Sequence, residues 1–374
     1  MKSIFKIIIA VLIIDFVFST IFLKKTDIWI NKNWENKYWR ISSNIYHHDL
    51  KANIDVMESW GGKFDKRIIT NSLGFRDNEK KIIKKKPNKQ RILLVGDSFI
   101  EGAGYDYELT LAGLLQKKIG NKFEILNSGV NSYSPSIYYK KIEHFINEGY
   151  QFDHALVFLD ISDIFDELFI KFNEKGDIVT ENKFILNKSL KQKFYDLGEF
   201  LRENTITFRF LYILSDNTEI YKNYLKDKFA SSKFLNKSFL ETNRDDAMFY
   251  RMLHVDRGYW TYNDEKFNQV KPGLNQSEKY LKKLFRLFDK HSIKSHLIIY
   301  PWPTQIYFGD TKHEQFWIKF SNDHNINLLN LYEKFTKNNS RDFIFDNFIY
   351  GDIHWNKKGT KLVFNEVINL FKSN

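Results

Sequence analysis

Five short runs rich in apolar residues set the strongest limit on how this chain folds. They are RILLV (91–95), FEILN (123–127), HALVFLD (154–160), SHLIIYPWP (295–303) and NINLLNL (325–331). A strand covered on both faces needs continuous apolar residues rather than an apolar-polar alternation, and that is the habit of parallel sheets. Between the runs lie segments with helical spacing: 109–120, 134–149, 277–291 and 358–372. Ser134 or Ser136 stands near the start of the second, and Gly120 and Gly149 end the first two, as helix start and stop signals require. Strand-helix alternation on both sides of a looser stretch at about 165–270 predicts an α/β fold: a three-layer α/β/α sandwich on a mostly parallel sheet, carrying a large insertion. Residues 189–204 read as a helix within that insertion. Gly74, in TNSLGFRD (70–77), suggests a turn with positive φ.

The expected division is an anchor at 4–23, a lead segment and basic linker at 24–90, and the main domain at 91–374. IFKIIIAVLIIDFVFSTIFL (4–23) is apolar apart from Lys6 and Asp15 and long enough to cross a bilayer as a helix. IFLKK follows it rather than a small-residue cleavage site, so it reads as an uncleaved anchor. Lys24, Lys25, Lys32 and Lys37 after the span favour a cytoplasmic bulk. A lone N-terminal anchor ahead of a large domain favours export, and the expectation is a periplasmic or otherwise extracytoplasmic domain. Asp15 at mid-span is costly in lipid and marks a candidate helix partner.

The 374 residues contain no cysteine, which excludes disulfides, thiol catalysis and Cys-ligated zinc. Net charge is +11, and KKIIKKKPNKQR (80–91) carries seven Lys or Arg and no acid. This stretch reads as a solvated connector. No zinc finger, helix-turn-helix or basic-aromatic repeat is present, so nucleic acid is not an expected partner. A basic surface fits anionic lipid or an acidic polysaccharide better.

In an open parallel sheet, active groups gather at the carboxyl ends of the strands. Ser98, in GDSF (96–99), follows the first run. Asn127, Ser128 and Gly129 end the second, and Asp160, Ser162 and Asp163 end the third. Trp302 ends the fourth, and GDIHWNKKG (351–359) precedes the last helix. Acyl transfer through serine needs this kind of set. A hydroxyl requires a general base, which His354 supplies near neutral pH, and Asp352 is placed to orient that histidine. The oxyanion needs donors, for which the Ser98 and Gly129 N–H groups and the Ser162 hydroxyl are candidates. Asn127, Asp163, Trp302 and Trp355 are candidate substrate contacts.

Bland readings stand beside these. Gly-Asp-Ser is also a common turn, with Asp97 bonding its own backbone. His354 is also a candidate capping or packed residue. DISDIFDE (160–167) is acidic enough to suggest a metal, but helix starts favour such residues as caps, and no metal or organic cofactor is expected. Trp260, Trp302 and Trp355 are candidates to stack on sugars, in a chain where buried aromatics are the default.

At these positions the chain resembles the SGNH (GDSL-type) hydrolases. GDSF matches their first block, NSGVNSYSP (127–135) their glycine block, and GDIHWNKKG their Asp-His block. TNSLGFRD and IIYPWPTQI look like membrane-linked members of bacterial surface-polysaccharide systems. The resemblance covers about 70–165 and 290–370. It implies Ser98 as nucleophile, His354 as base, Asp352 as its partner and Gly129 as an oxyanion donor. Two positions depart from the pattern. The third block, Gly-x-Asn-Asp, is DISD (160–163) here, so Ser162 replaces an asparagine donor; losing such a donor costs about 2.7–4 kcal/mol of transition-state stabilisation. The spacing Asp352-x-His354 is shorter than Asp-x-x-His and resembles alginate-type O-acetyltransferases. The implied function is a membrane-anchored serine esterase acting on O-acyl, above all O-acetyl, groups of a cell-surface carbohydrate. An O-acetyltransferase using the same residues, a non-catalytic glycan-binding protein and a lipid-directed esterase are the alternatives.

Overall fold

The five apolar runs become one side of an eight-stranded sheet in the computed structural model, from an edge strand inwards. The structure describes residues 6, 10–19, 39–60, 64–173, 178, 205, 207 and 244–372. The strands are β1 (Arg40–Ser43), β2 (His47–Leu50), β3 (Asp55–Trp60), β4 (Phe64–Thr70), β5 (Arg76–Asp77), β6 (Gln90–Val95), β7 (Phe123–Asn127), β8 (His154–Leu159), β9 (Lys294–Ile299) and β10 (Leu328–Asn330). The sheet order is β10-β9-β8-β6-β7-β5-β4-β3. From β10 to β7 neighbours run parallel, and β5 is antiparallel to both β7 and β4. Every residue of β8 is buried, which is why its sequence lacks alternation.

Apart from the helix Arg244–Leu253, the α-helices after β6 are α1 (Ser98–Glu101), α2 (Leu111–Ile119), α3 (Pro135–Asn147), α4 (Ile161–Asp166), α5 (Asp264–Lys290), α6 (Pro303–Phe308), α7 (Lys312–Asp323), α8 (Tyr332–Thr336), α9 (Arg341–Asn347) and α10 (Lys357–Val367). Strand order reverses at β6, so right-handed crossovers send α2 to one face and α3 and α5 to the other. Accordingly α2 packs with α10, and α3 with α5. The reversal opens a crevice beyond the ends of β6 and β8, where ligands bind in sheets of this kind.

The chain divides into two compact units. The larger takes 38–56, 66–180 and 248–374 and holds the parallel strands. The smaller takes 1–37, 57–65 and 181–247, of which a helical stretch at 10–19, the ends of β3 and β4, and 244–247 are the main described parts. The expected boundary at 90/91 therefore falls inside the larger unit. The reason is β5: buried Arg76 donates from Nη1 to the carbonyls of Glu101, at 2.5 Å, and Gly102, at 2.7 Å, and from Nη2 to that of Tyr105. Residues read as a lead segment thereby hold the turn after α1. Gly74 has φ 77°, as its turn requires. The end of the expected insertion also joins this unit, since Trp260 Nε1 donates to the Ile161 carbonyl at 3.0 Å and α5 begins at Asp264. Segment 189–204 lies outside the described residues, as does much of 4–23. Among the described residues no helix is long and apolar enough to cross a membrane.

Candidate active site

The turn from β6 into α1 is built by Asp97. Its Oδ1 accepts the Phe99 N–H at 3.0 Å, capping α1 and setting Ser98 at the helix start, where N–H groups have no intrahelical acceptor. Ser98 Oγ lies 2.8 Å from His354 Nε2, although 256 positions separate the two residues. His354 Nδ1 lies 2.5 Å from Asp352 Oδ1, which also accepts the His354 N–H at 3.0 Å. A carboxylate only accepts, so Nδ1 carries a proton, and in the neutral imidazole Nε2 faces the serine with its lone pair. Phe99 packs on the imidazole with ring centroids 4.5 Å apart. Ser98 is 5% and His354 7% exposed. Burial lowers the affinity of His354 for a proton, but Asp352, by charge and hydrogen bond, with Asp97 and Asp160 beyond, outweighs it and leaves the imidazole above its ordinary value. The arrangement allows Ser98 to pass its proton to His354 while Asp352 holds the imidazole in place.

The expected oxyanion set is not aimed as the sequence suggests. The Gly129 N–H donates to Asn127 Oδ1 at 3.1 Å, and Ser162 donates to Asp160 Oδ2 from both its N–H, at 3.1 Å, and its Oγ, at 2.5 Å. Gly129 is nevertheless required for packing: a Cβ there would stand 2.7 Å from Ile100 Cγ2 and 2.9 Å from the Glu101 nitrogen. The Ser98 N–H is the expected donor that keeps its place in the first turn of α1.

The four expected substrate contacts are all interior. Asn127 is buried, and its Nδ2 donates to the Ile100 carbonyl at 2.7 Å. Asp163 accepts the Asp160 N–H at 3.0 Å and the Tyr138 hydroxyl at 2.7 Å, closing the capping box of α4. Trp302 is 0% exposed, with Nε1 donating to Asp160 Oδ1 at 2.6 Å. Trp355 is 3% exposed, with Phe99 and Tyr300 packed against it at centroid distances of 4.7 and 4.6 Å. None presents a ring or polar edge to a sugar. An indole is large enough to be worth burying; the Trp302 N–H finds its acceptor inside, whereas that of Trp355 has no hydrogen-bond partner among the described residues.

Among the described residues, Asp97, Asp160 and Asp163 alone bring three metal-capable groups together, within 4.8 Å of one another. Their oxygens serve protein donors, as just described, apart from Asp163 Oδ1. Burial, reinforced by their mutual charge, pushes Asp97 up to about 7 and Asp163 well above its usual range; burial also raises Asp160. The sequence treats Asp97 as a turn residue and misses that its Oδ2 lies 2.9 Å from Ser98 Oγ. It also misses Glu101, whose side chain accepts from Arg40 and from the Asn131 N–H and ties α1 to the glycine loop. An acid inside the otherwise apolar SFIEG was the available signal.

No protein-family model and no curated protein matches the chain. Among solved structures it is similar to a psychrotrophic esterase, EstA, from Pseudoalteromonas sp., at 12% identity over 76% of this chain and 97% of that one, with a TM-score of 0.38. It is similar to a member of the lipolytic G-D-S-L family from Veillonella parvula, at 13% identity over 76% and 100%, TM-score 0.39. A catalytic mutant of the acetylxylan esterase Axe2 from Geobacillus stearothermophilus matches at 10% identity over 78% and 98%, TM-score 0.36. At such low similarity, what the residues of this chain do rests on their own geometry.

Proposed function

We propose that this chain is a serine esterase in which Ser98 attacks an O-acyl ester, His354 takes and returns the proton, and Asp352 orients His354. The observation that carries the reading is the relay Ser98 Oγ–His354 Nε2, 2.8 Å, and His354 Nδ1–Asp352 Oδ1, 2.5 Å. The leaving alcohol takes the proton from His354, and water resolves the acyl-enzyme. The motif resemblance supports O-acetyl groups of a carbohydrate as the substrate. The apolar run 4–23 supports attachment to a membrane, with the larger unit outside the cytoplasm. The short Asp352-x-His354 spacing favours a second reading, transfer of the acetyl group to a sugar hydroxyl in place of water.

The test is labelling of the full chain by a fluorophosphonate, which reacts with an activated serine. Wild type is expected to label, and Ser98→Ala and His354→Ala to lose at least about a hundredfold in rate. Folded wild type without label would refute the esterase reading and favour a binding protein. Acetyl-ester cleavage that rises sharply with an added oligosaccharide acceptor would mark a transferase.

A further inference from the structure

The Ser98 hydroxyl has one proton and stands between two groups that ordinarily accept. Its Oγ is 2.8 Å from His354 Nε2 and 2.9 Å from Asp97 Oδ2. If the proton points to His354, as activation requires, Asp97 Oδ2 has to be the donor, and a carboxyl group donates only when protonated. Asp97 Oδ1 is committed as acceptor of the Phe99 N–H, which leaves Oδ2 to carry the proton.

The surroundings favour this form. Asp97 is buried, and Asp160, which caps α4, and Asp163, within it, stand close enough for the charge of each to disfavour ionisation of the others. The other titratable groups that bear on it are Tyr138 on α3, Tyr300 after β9, His354 before α10, and Arg257. Arg257 is held by Asp166 at 2.7 Å. Burial first, then the charge of Asp160, raises Asp97, against the pull of His354 and of its hydrogen bonds from Phe99 and Ser98.

We propose that Asp97 is a catalytic residue of the same site: a neutral carboxylic acid that donates to Ser98 Oγ and so leaves the serine proton for His354. This rests on the reading of Ser98 as nucleophile. Before reaction, Asp97 and His354 share one proton across the hydroxyl. Neutral acid with neutral imidazole is the competent arrangement. Carboxylate with imidazolium turns the hydroxyl towards Asp97 and leaves His354 without a lone pair to act as base. During attack, the Oγ–H proton moves to Nε2, an Oγ lone pair forms the bond to the carbonyl carbon, and the carbonyl π pair moves onto its oxygen. Asp97 keeps its proton and its bond to Oγ.

The experiment compares full-length wild type, D97N and D97A by the pH dependence of fluorophosphonate labelling and of acetyl-ester cleavage. D97N preserves both an acceptor for Phe99 and a donor for Ser98, so it should slow labelling by about tenfold and lose the alkaline fall. In wild type that fall should begin near pH 7, where Asp97 ionises. D97A should lose about a hundredfold. A folded D97N as inert as D97A, or one that keeps the wild-type alkaline fall, would overturn the proposal. An infrared difference spectrum between wild type and D97N, below the alkaline fall, reads the proton directly. A carboxylic-acid carbonyl band belonging to Asp97 supports the neutral acid, and its absence overturns it even if D97A fails to fold. The band present in a wild type that takes no label would refute the nucleophile alone.

Discussion

Two groups of buried charge lie at opposite ends of the short helix α1 and are built in opposite ways. Near its C-terminal end, Glu101 accepts from Arg40 at 2.9 and 2.6 Å and from the Asn131 N–H at 2.8 Å, with Lys66 at 3.7 Å. Close by, Asp49 accepts from Lys141 at 2.8 Å, and the Lys141 ammonium lies over the rings of Tyr46, Phe75 and Tyr133. Each acid there has a cation. At the N-terminal end, Asp97, Asp160 and Asp163 share the same depth, and among the described residues no lysine or arginine is hydrogen-bonded to any of them. Burial tends to raise Glu101, but Arg40 and Lys66 outweigh it and hold it well below the usual carboxylate range. Burial, Asp97 and Asp160 together drive Asp163 well above it. A matched cluster fixes geometry and stays ionised. An unmatched one raises the proton affinity of its acids, and here it does so beside the candidate nucleophile.

The sharpest way to break this contrast is to remove one acid from each group. Asp49→Ala leaves Lys141, whose side chain is 1% exposed, without its carboxylate. An uncompensated buried charge costs about 3–5 kcal/mol, to be read from urea unfolding. Asp163→Asn replaces an acid that burial and its acidic neighbours push towards the neutral form with an amide of the same shape, and should change stability by only about 1 kcal/mol. Equal losses in the two variants would show that the acids at the rim are ionised too.

The pH dependence of stability should separate the groups by sign. Glu101 has a depressed folded value, so its contribution is present above its unfolded value near 4.5 and is lost as pH falls below that. Asp97 has a raised folded value. Its contribution is present below about 3.8 and is lost as pH climbs from there through about 7. Thermal unfolding across pH should therefore show a flatter acid limb in Glu101→Gln and a flatter decline towards neutrality in D97N. A common slope in both variants would erase the distinction.

The same contrast explains what was legible in the sequence. Strands β6 to β9 can be read from it because burial on both faces forces runs such as Ile92–Val95 to be apolar throughout. Strand β5 cannot, because it is only Arg76 and Asp77, and its hold on the turn after α1 comes from carbonyls more than 20 positions away. The first half of α5 hides behind Pro272 and Gly273; Gly273 is needed where a Cβ would lie 2.2 Å from the Ile164 carbonyl oxygen. At the site, Ser98, Asp352 and His354 were legible because their chemistry is tied to residue type and to strand ends. The hydrogen bonds that take up the Gly129 and Ser162 donors were not, since they depend on where the Asn127 and Asp160 side chains turn.

The last expected effect concerns one of the neutral donors at the acidic rim. Trp302 donates to Asp160 Oδ1 at 2.6 Å, while Ser162 occupies Oδ2. Trp302→Phe keeps most of the packing but leaves Oδ1 without that donor. Stability should fall by about 1–3 kcal/mol, part of it the loss of indole volume. The informative readout is the alkaline fall of fluorophosphonate labelling. Loss of the donor makes an ionised Asp160 less favourable, and a more neutral Asp160 repels Asp97 less. Asp97 then ionises at lower pH, and the fall should move towards acid. An alkaline fall that stays where it is in wild type would mean that Asp160 remains charged in the variant and that the Trp302 hydrogen bond does not set its ionisation.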